Sequence, residues 1–161
     1  KVLESIYKLR DSYPDIQYII AGDGEEIENL KKIVNKLNLK KNVNFVGSVN
    51  DNKKKYIFEN TTLMVMPTTD ESENQSIEGF GIAYLEAAFF GIPSIASDVG
   101  GTPEAVIDKK TGIIIKKNAD LYLSIKDLLS DKEKFEILRM NAKKRAIEHF
   151  DWKKTIDKYL N

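Results

Sequence analysis

Five short apolar segments limit what this chain can fold into: IQYIIA (16–21), VNFVG (43–47), LMVMP (63–67), PSIAS (93–97) and GIIIK (112–116). They are apolar and β-branched rather than alternating in polarity, which predicts strands covered on both faces. Helical patterns separate them. Val2, Ile6, Leu9 and Tyr13 recur at helical spacing until YP stops the helix, and Ile27, Leu30, Val34 and Leu37 form a second stripe. A helix over about 51–59 and another from about Gly81 to Phe90 follow, with Gly91 suited to a C-terminal cap. GGTPEAVI predicts a loop and a short helix with Thr102 as N-cap and Pro103 at the first helical position. Helical patterns over about 119–129, 131–148 and 151–160 close the chain. Strict alternation of strand and helix predicts an α/β fold: a mostly parallel sheet with helices on both faces.

A chain of 161 residues, 42% of them hydrophobic, suffices for one compact domain and not for two full ones. Its 25 basic and 25 acidic residues cancel, so no overall field favours nucleic acid or an anionic membrane surface. The Lys53–Lys55 cluster reads as a solvated helix face. Absence of cysteine excludes disulfides and thiolate chemistry, and fits a reducing, cytoplasmic compartment. His149, the single histidine, cannot build a multi-histidine metal site and reads as a surface residue; Trp152 reads as packing. No apolar run reaches the roughly 18 residues of a membrane span, so membrane contact is peripheral at most. The chain starts at Lys1, without methionine, directly in a helical pattern, which predicts an excised piece of something longer.

The chemistry concentrates in IEGFGIAYLEAAFFGIPSIASDVGG, residues 77–101. Glu86 is the only charged side chain between Gly79 and Ser97, and Glu78 stands eight positions before it. Were the intervening segment all helix, the two backbones would be about 12 Å apart along the axis. Paired glycosidase carboxylates stand at about 5 to 9.5 Å, so the two glutamates read as gripping different parts of one ligand. Glu86 lies four after Ile82 and three before Phe89, a position expected to face the core. A carboxylate there needs partners, either protein donors or ligand hydroxyls; the residues alone leave both open. Gly79, Phe80 and Gly81 at the helix start would let a phosphate approach free amides and the positive end of the helix dipole, with Phe80 as packing. AGDGEE places Gly22 and Gly24 after a strand like the opening of a dinucleotide fingerprint, but Ile27 takes the third glycine's place. Glu25 and Glu26 in the first helical turn would satisfy the dipole and repel pyrophosphate, so Gly22 and Gly24 read as a cleft-lining turn. Gly100 and Gly101 in DVGGTPEAV read either as a second phosphate-facing loop or as an ordinary connection.

The stretch EGFGIAYLEAAFFGIPSIASDVGGTPEAVIDKKTGIII resembles the signature region of retaining group 1 glycosyltransferases (family four), with Glu78 and Glu86 in an E-x7-E pattern. IQYIIAGDGEE, VNFVGSV and LMVMPT match that family's strand and turn segments in order, so the resemblance covers nearly the whole chain. It implies the Rossmann-like, three-layer C-terminal half of a two-domain GT-B enzyme. By that resemblance Glu86 would hold the ribose of a nucleotide sugar, and Glu78 would lie by the transferred sugar as the catalytic carboxylate. The backbone of Gly79, Phe80 and Gly81 would meet sugar and diphosphate, and Val46, Gly47, Ser48 and Val49 would border the base. No metal or other cofactor is expected: the nucleotide sugar is itself the substrate, and catalysis would rest on positioning and leaving-group stabilisation.

The family's diphosphate-binding Arg and Lys lie in and after a first strand that would precede Lys1. In the strand order 3-2-1-4-5-6 that strand is central, so a gap is expected between IQYIIA and LMVMP. The resemblance thus implies an N-terminally truncated donor domain over residues 1–161, lacking its acceptor domain and inactive alone. The implied reaction moves a hexosyl or N-acetylhexosaminyl group from a UDP- or GDP-sugar to a glycan or lipid acceptor with retention, at or near the cytoplasmic membrane face. The alternatives are a sugar-nucleotide epimerase of the same fold and a non-catalytic nucleotide or anion binder.

Overall fold

The computed structural model describes residues 1–68, 81–117 and 119–150. Contacts sort them into two compact units: Lys1–Ile57 with Asp120–Lys126, and Phe58–Ala119 with the chain from Asp127. All strand pairing is parallel.

In the first unit, helix α1 (Val2–Leu9) buries Leu3, Ile6 and Leu9, the stripe read from its spacing. It ends before Tyr13, whose N–H still donates to the Leu9 carbonyl at 2.8 Å in the turn that follows. Strand β1 (Tyr18–Ala21) is shorter than the apolar run that announced it. Side chains occupy the start of that run: buried Asn42 donates from Nδ2 to the Ile16 carbonyl at 3.0 Å, and Gln17 donates from Nε2 to the Lys41 carbonyl at 3.0 Å. Helix α2 (Ile27–Lys36) leads to strand β2 (Val43–Gly47), which pairs with β1 and falls where its sequence placed it. One expectation fails here: β1 alternates between half-buried and exposed, with Ile19 exposed, instead of being covered on both faces. Burial raises the pKa of the Tyr18 phenol, on the covered side. Helix α3 (Asp51–Glu59) starts where Asn50 Oδ1 accepts from the Lys53 N–H at 2.9 Å.

The second unit has a three-stranded sheet ordered β3 (Met64–Met66), β4 (Ser94–Ser97), β5 (Gly112–Ile115). Its central strand meets the expectation of two covered faces, for Ser94, Ile95 and Ala96 are all buried. Among the described residues β1 pairs with β2 alone and β3 with β4 alone, so pairing stops between IQYIIA and LMVMP, where the gap was expected. Helix α4 (Ile82–Phe89) packs through Tyr84 and Ala87, and Gly91, at φ 74°, reverses the chain after it as its position suggested. Helix α5 (Thr102–Ala105) departs from expectation: Gly101 is its N-cap, and Thr102 is its first residue, with Oγ1 buried and making no hydrogen bond. The Thr102 side chain is packed inward at 0% exposure, out of reach of the amides a cap must serve. Helix α6 (Leu121–Ser130) and helix α7 (Lys132–His149) complete the described chain, α7 capped by Asp131 Oδ1 accepting from the Lys134 N–H at 3.0 Å. His149 is exposed, as read; Trp152 and the helical pattern over 151–160 lie outside the described residues.

The core of this unit gathers Tyr84, Ala96, Ala105 and Val106, with Met64, Met66, Leu85 and Ile114 packed against them. Tyr84 is 1% exposed, and its hydroxyl donates to the Met66 carbonyl at the end of β3. A buried phenol needs such a partner, and this one ties α4 to the strand before it. Tyr84→Phe keeps the ring and deletes the bond; it is expected to lower unfolding free energy by about 1–2 kcal/mol, read from urea denaturation. An unchanged midpoint would remove that bond from the account of the fold.

Candidate functional site

In open parallel sheets ligands bind outside the carboxyl ends of the strands. In the first unit those ends carry Gly22, Gly24 and the segment Val46–Val49, and the structure brings most of them together. Pairing of β1 with β2 runs Ile20↔Phe45 and then Ala21↔Gly47, so it slips by one residue at Val46. The Gly22 N–H then donates to the Gly47 carbonyl at 2.9 Å. Beyond that bond Asp23 Oδ2 accepts twice from Ser48, from its N–H at 2.9 Å and from its Oγ at 2.7 Å. Asp23 was not among the candidate residues, although it stands between the two glycines that were. The Ser48 hydroxyl, then the Ser48 amide, hold the Asp23 carboxyl below its ordinary pKa, with Lys31 adding a smaller pull the same way.

Gly24 stands apart from that cluster and accepts the Ile27 N–H at 3.2 Å where α2 begins. Glu25 and Glu26 are not in the first turn of α2 as expected. Glu26 occupies the N-cap position without a side-chain cap and Glu28 lies in the turn, because the helix starts only at Ile27. Lys53 is also more than a solvated charge: its Nζ donates to the Val46 carbonyl at 2.9 Å.

In the second unit Gly81 and Glu86 share α4. Glu78, Gly79 and Phe80 lie outside the described residues. Gly81 is the N-cap of α4 at φ 75°, ψ 56°, and a methyl group added there would stand 2.5 Å from Tyr84 Cδ2. Left-handed backbone and ring together admit only glycine. Glu86 is half-buried and does not face the core as its spacing suggested. The two residues that placed it there are themselves accessible, Ile82 at 70% and Phe89 at 37%, whereas Tyr84 and Ala87 make the buried face. Glu86 therefore lies on the face of α4 turned away from Tyr84 and Ala87.

Gly100, at φ 55°, and Gly101 lead into α5, which touches α4. The Gly101 carbonyl accepts the Glu104 N–H at 3.0 Å at the start of α5, and a distant side chain holds its end. Arg145 of α7 does so, with Nη1 donating to the Ala105 carbonyl at 2.9 Å and Nη2 to the Glu104 carbonyl at 2.6 Å. The Arg145 guanidinium also lies 4.7 Å from the centre of the Phe150 ring, and burial lowers its pKa from the usual arginine value. Among the described residues no group of three or more His, Asp or Glu side chains could hold a metal ion, and no helix is long and apolar enough to cross a membrane.

Parallel strands alternating with helices give this chain the Rossmann-like α/β fold seen in the C-terminal domains of GT-B glycosyltransferases. The backbone matches the C-terminal domain of a group 1 glycosyl transferase (LpcC) from Francisella tularensis with TM-score 0.77 at 19% identity, over 94% of this chain and 78% of that one. It matches Anabaena HepE in complex with UDP-glucose with TM-score 0.79 at 23% identity, over 98% and 43%. The chain belongs to the glycosyl transferases group 1 family, whose model matches residues 1–145. Over 154 residues it is 27% identical to the GDP-mannose-dependent alpha-(1-6)-phosphatidylinositol monomannoside mannosyltransferase of Mycolicibacterium smegmatis. That match covers 94% of this chain and 40% of the relative, so the chain spans well under half the relative's length.

Two measurements check these local structures. Gly81→Ala combines left-handed strain with overlap on the Tyr84 ring, and should cost about 2 kcal/mol or more in chemical denaturation. For Asp23, a folded pKa below the unfolded one means that the contribution of its bonds to Ser48 is fully present above the unfolded value and is lost as pH falls through the folded value. Carboxyl NMR should show Asp23 titrating below the ordinary aspartate range together with the Ser48 amide resonance; titration in the ordinary range would remove those bonds.

Proposed function

We propose that this chain is the donor-binding part of a retaining glycosyltransferase that moves a hexosyl or N-acetylhexosaminyl group from a UDP- or GDP-sugar to a glycan or lipid acceptor. One observation supports the reading above all: Glu86 is a half-buried carboxylate on the accessible side of an apolar helix that starts after the carboxyl end of β3. A carboxylate on that face is an acceptor for ligand hydroxyls, which suits a ribose. The HepE complex with UDP-glucose and the GDP-mannose dependence of the mycobacterial relative fit the same class of donor.

In this reading Glu86 holds the ribose, Gly81 with Gly79 and Phe80 meets sugar and diphosphate, and Val46–Val49 border the base. Gly22 and Gly24 line the first unit's carboxyl edge, and Gly100 and Gly101 that of the second. Glu78 lies beside the transferred sugar. The family's E-x7-E pattern and the glycine turns favour transfer over a sugar-nucleotide epimerase, and over a non-catalytic binder. We further propose that an acceptor domain lies outside residues 1–161, and that these residues alone transfer no sugar. Neither a metal nor another cofactor enters this scheme, and the site of action is the cytoplasm or the cytoplasmic face of its membrane.

The test is calorimetric titration of the full chain with UDP, GDP, ADP and their common sugar conjugates, beside Glu86→Ala. Loss of charge-assisted bonds to two hydroxyls should weaken the preferred nucleotide by about tenfold or more without unfolding the protein. Equal affinity in the variant would strip Glu86 of the ribose role, and unfolding with intact affinity in the folded fraction would make it structural.

A further inference from the structure

The segment Val46–Ser48 is unusually well tied down for a strand end. Its three successive residues are each engaged by a different partner within the first unit. Lys53 Nζ donates to the Val46 carbonyl at 2.9 Å, the Gly22 N–H to the Gly47 carbonyl at 2.9 Å, and Ser48 gives both its donors to Asp23 at 2.9 and 2.7 Å. The backbone at the middle of this segment is left-handed, Gly47 at φ 65°, and the Cβ that glycine lacks would lie 3.6 Å from Asp23 Oδ1. A glycine in that conformation can leave it at little cost, so something must select the observed one. Pairing of β1 with β2 ends at Gly47, and the next bond outward is the Asp23 carboxylate.

An exposed aspartate ahead of a helix ordinarily serves the helix amides. Asp23 does not: α2 begins at Ile27 without a side-chain cap, and the carboxylate instead reaches a serine 25 positions away. A negative charge is also poorly suited to touching a diphosphate, and the Asp23 oxygen that faces this segment already accepts both donors of Ser48. We propose that Asp23 is a positioning residue, a clasp that sets the Gly47–Val49 backbone in the conformation that receives the nucleoside end of the donor; this rests on the donor reading above. It follows that Ser48 offers the ligand no donor of its own. Both are spent on Asp23, and its side chain acts by being held. When the clasp is removed the segment samples other conformations about Gly47, and apparent affinity falls in proportion to the competent fraction.

The experiment uses the full chain and whichever of UDP, GDP or ADP the wild type prefers, with affinity by calorimetry and folding by thermal melt. Asp23→Ala should weaken the nucleotide by about tenfold while the melting temperature stays close to wild type, since a clasp at an exposed strand end carries little of the fold. Asp23→Asn, whose amide oxygen can still accept from Ser48, should recover affinity to within about threefold of wild type. Ser48→Ala should fall between, and adding it to Asp23→Ala should cost nothing further, because both changes break the same contact. Unchanged affinity in Asp23→Ala beside a wild type that binds would overturn the clasp and leave the donor reading intact. Asp23→Asn as weak as Asp23→Ala would also overturn it, by showing that charge and not geometry matters. A folded wild type that binds none of the three nucleotides would overturn the donor reading and the clasp's role with it.

Discussion

The second unit depends on how one tyrosine is seated. Tyr84 fills the core beneath α4, its hydroxyl reaches the Met66 carbonyl, and its ring covers the Gly81 backbone so closely that no side chain fits there. Three features of α4 follow from that seating: where the helix starts, which strand end it is tied to, and which face it turns outward. The outward face is the one that carries Glu86. A core residue thus decides the placement of a carboxylate two positions away, and packing and site are one arrangement.

Both units fix the segment that follows a strand end by the same means. A charged side chain from elsewhere in the sequence grips backbone or hydroxyl groups there, Asp23 on Ser48 in one unit and Arg145 on the carbonyls of Glu104 and Ala105 in α5 in the other. Charge-assisted bonds suit this work because each is stronger than a neutral one and fixes a direction. Glycines shape the chain ahead of these contacts, and the distant side chain selects one conformation among those that glycine allows.

The alternation of apolar runs and helical stripes was legible because each run is bounded by turn residues; β2 and α3 sit at their expected bounds. β1 was read too long, since nothing in IQYIIA reveals that the Asn42 side chain takes the Ile16 carbonyl. The face of Glu86 was misread for an instructive reason. Ile82 and Phe89 were taken as markers of the core, but an apolar residue on the surface is ordinary, and α4 buries Tyr84 and Ala87 instead. Asp23 was visible between its glycines, yet its partner lies 25 positions on, and that of Arg145 some 40 away. No local pattern reports contacts of that span. The carboxylate and glycines at 78–80 were read from the motif, and they lie outside the described residues.

The open face of α4 has one more consequence. Glu86 shares it with Ile82 and Phe89, so the carboxylate sits in a surround that is apolar yet wetted. Water there screens its field and competes for its lone pairs. Whatever lies across Ile82 or Phe89 expels that water, and in the lower dielectric the same hydrogen bonds become stronger. What covers its neighbours therefore adds to the grip of this carboxylate, which tightens as the face is dried.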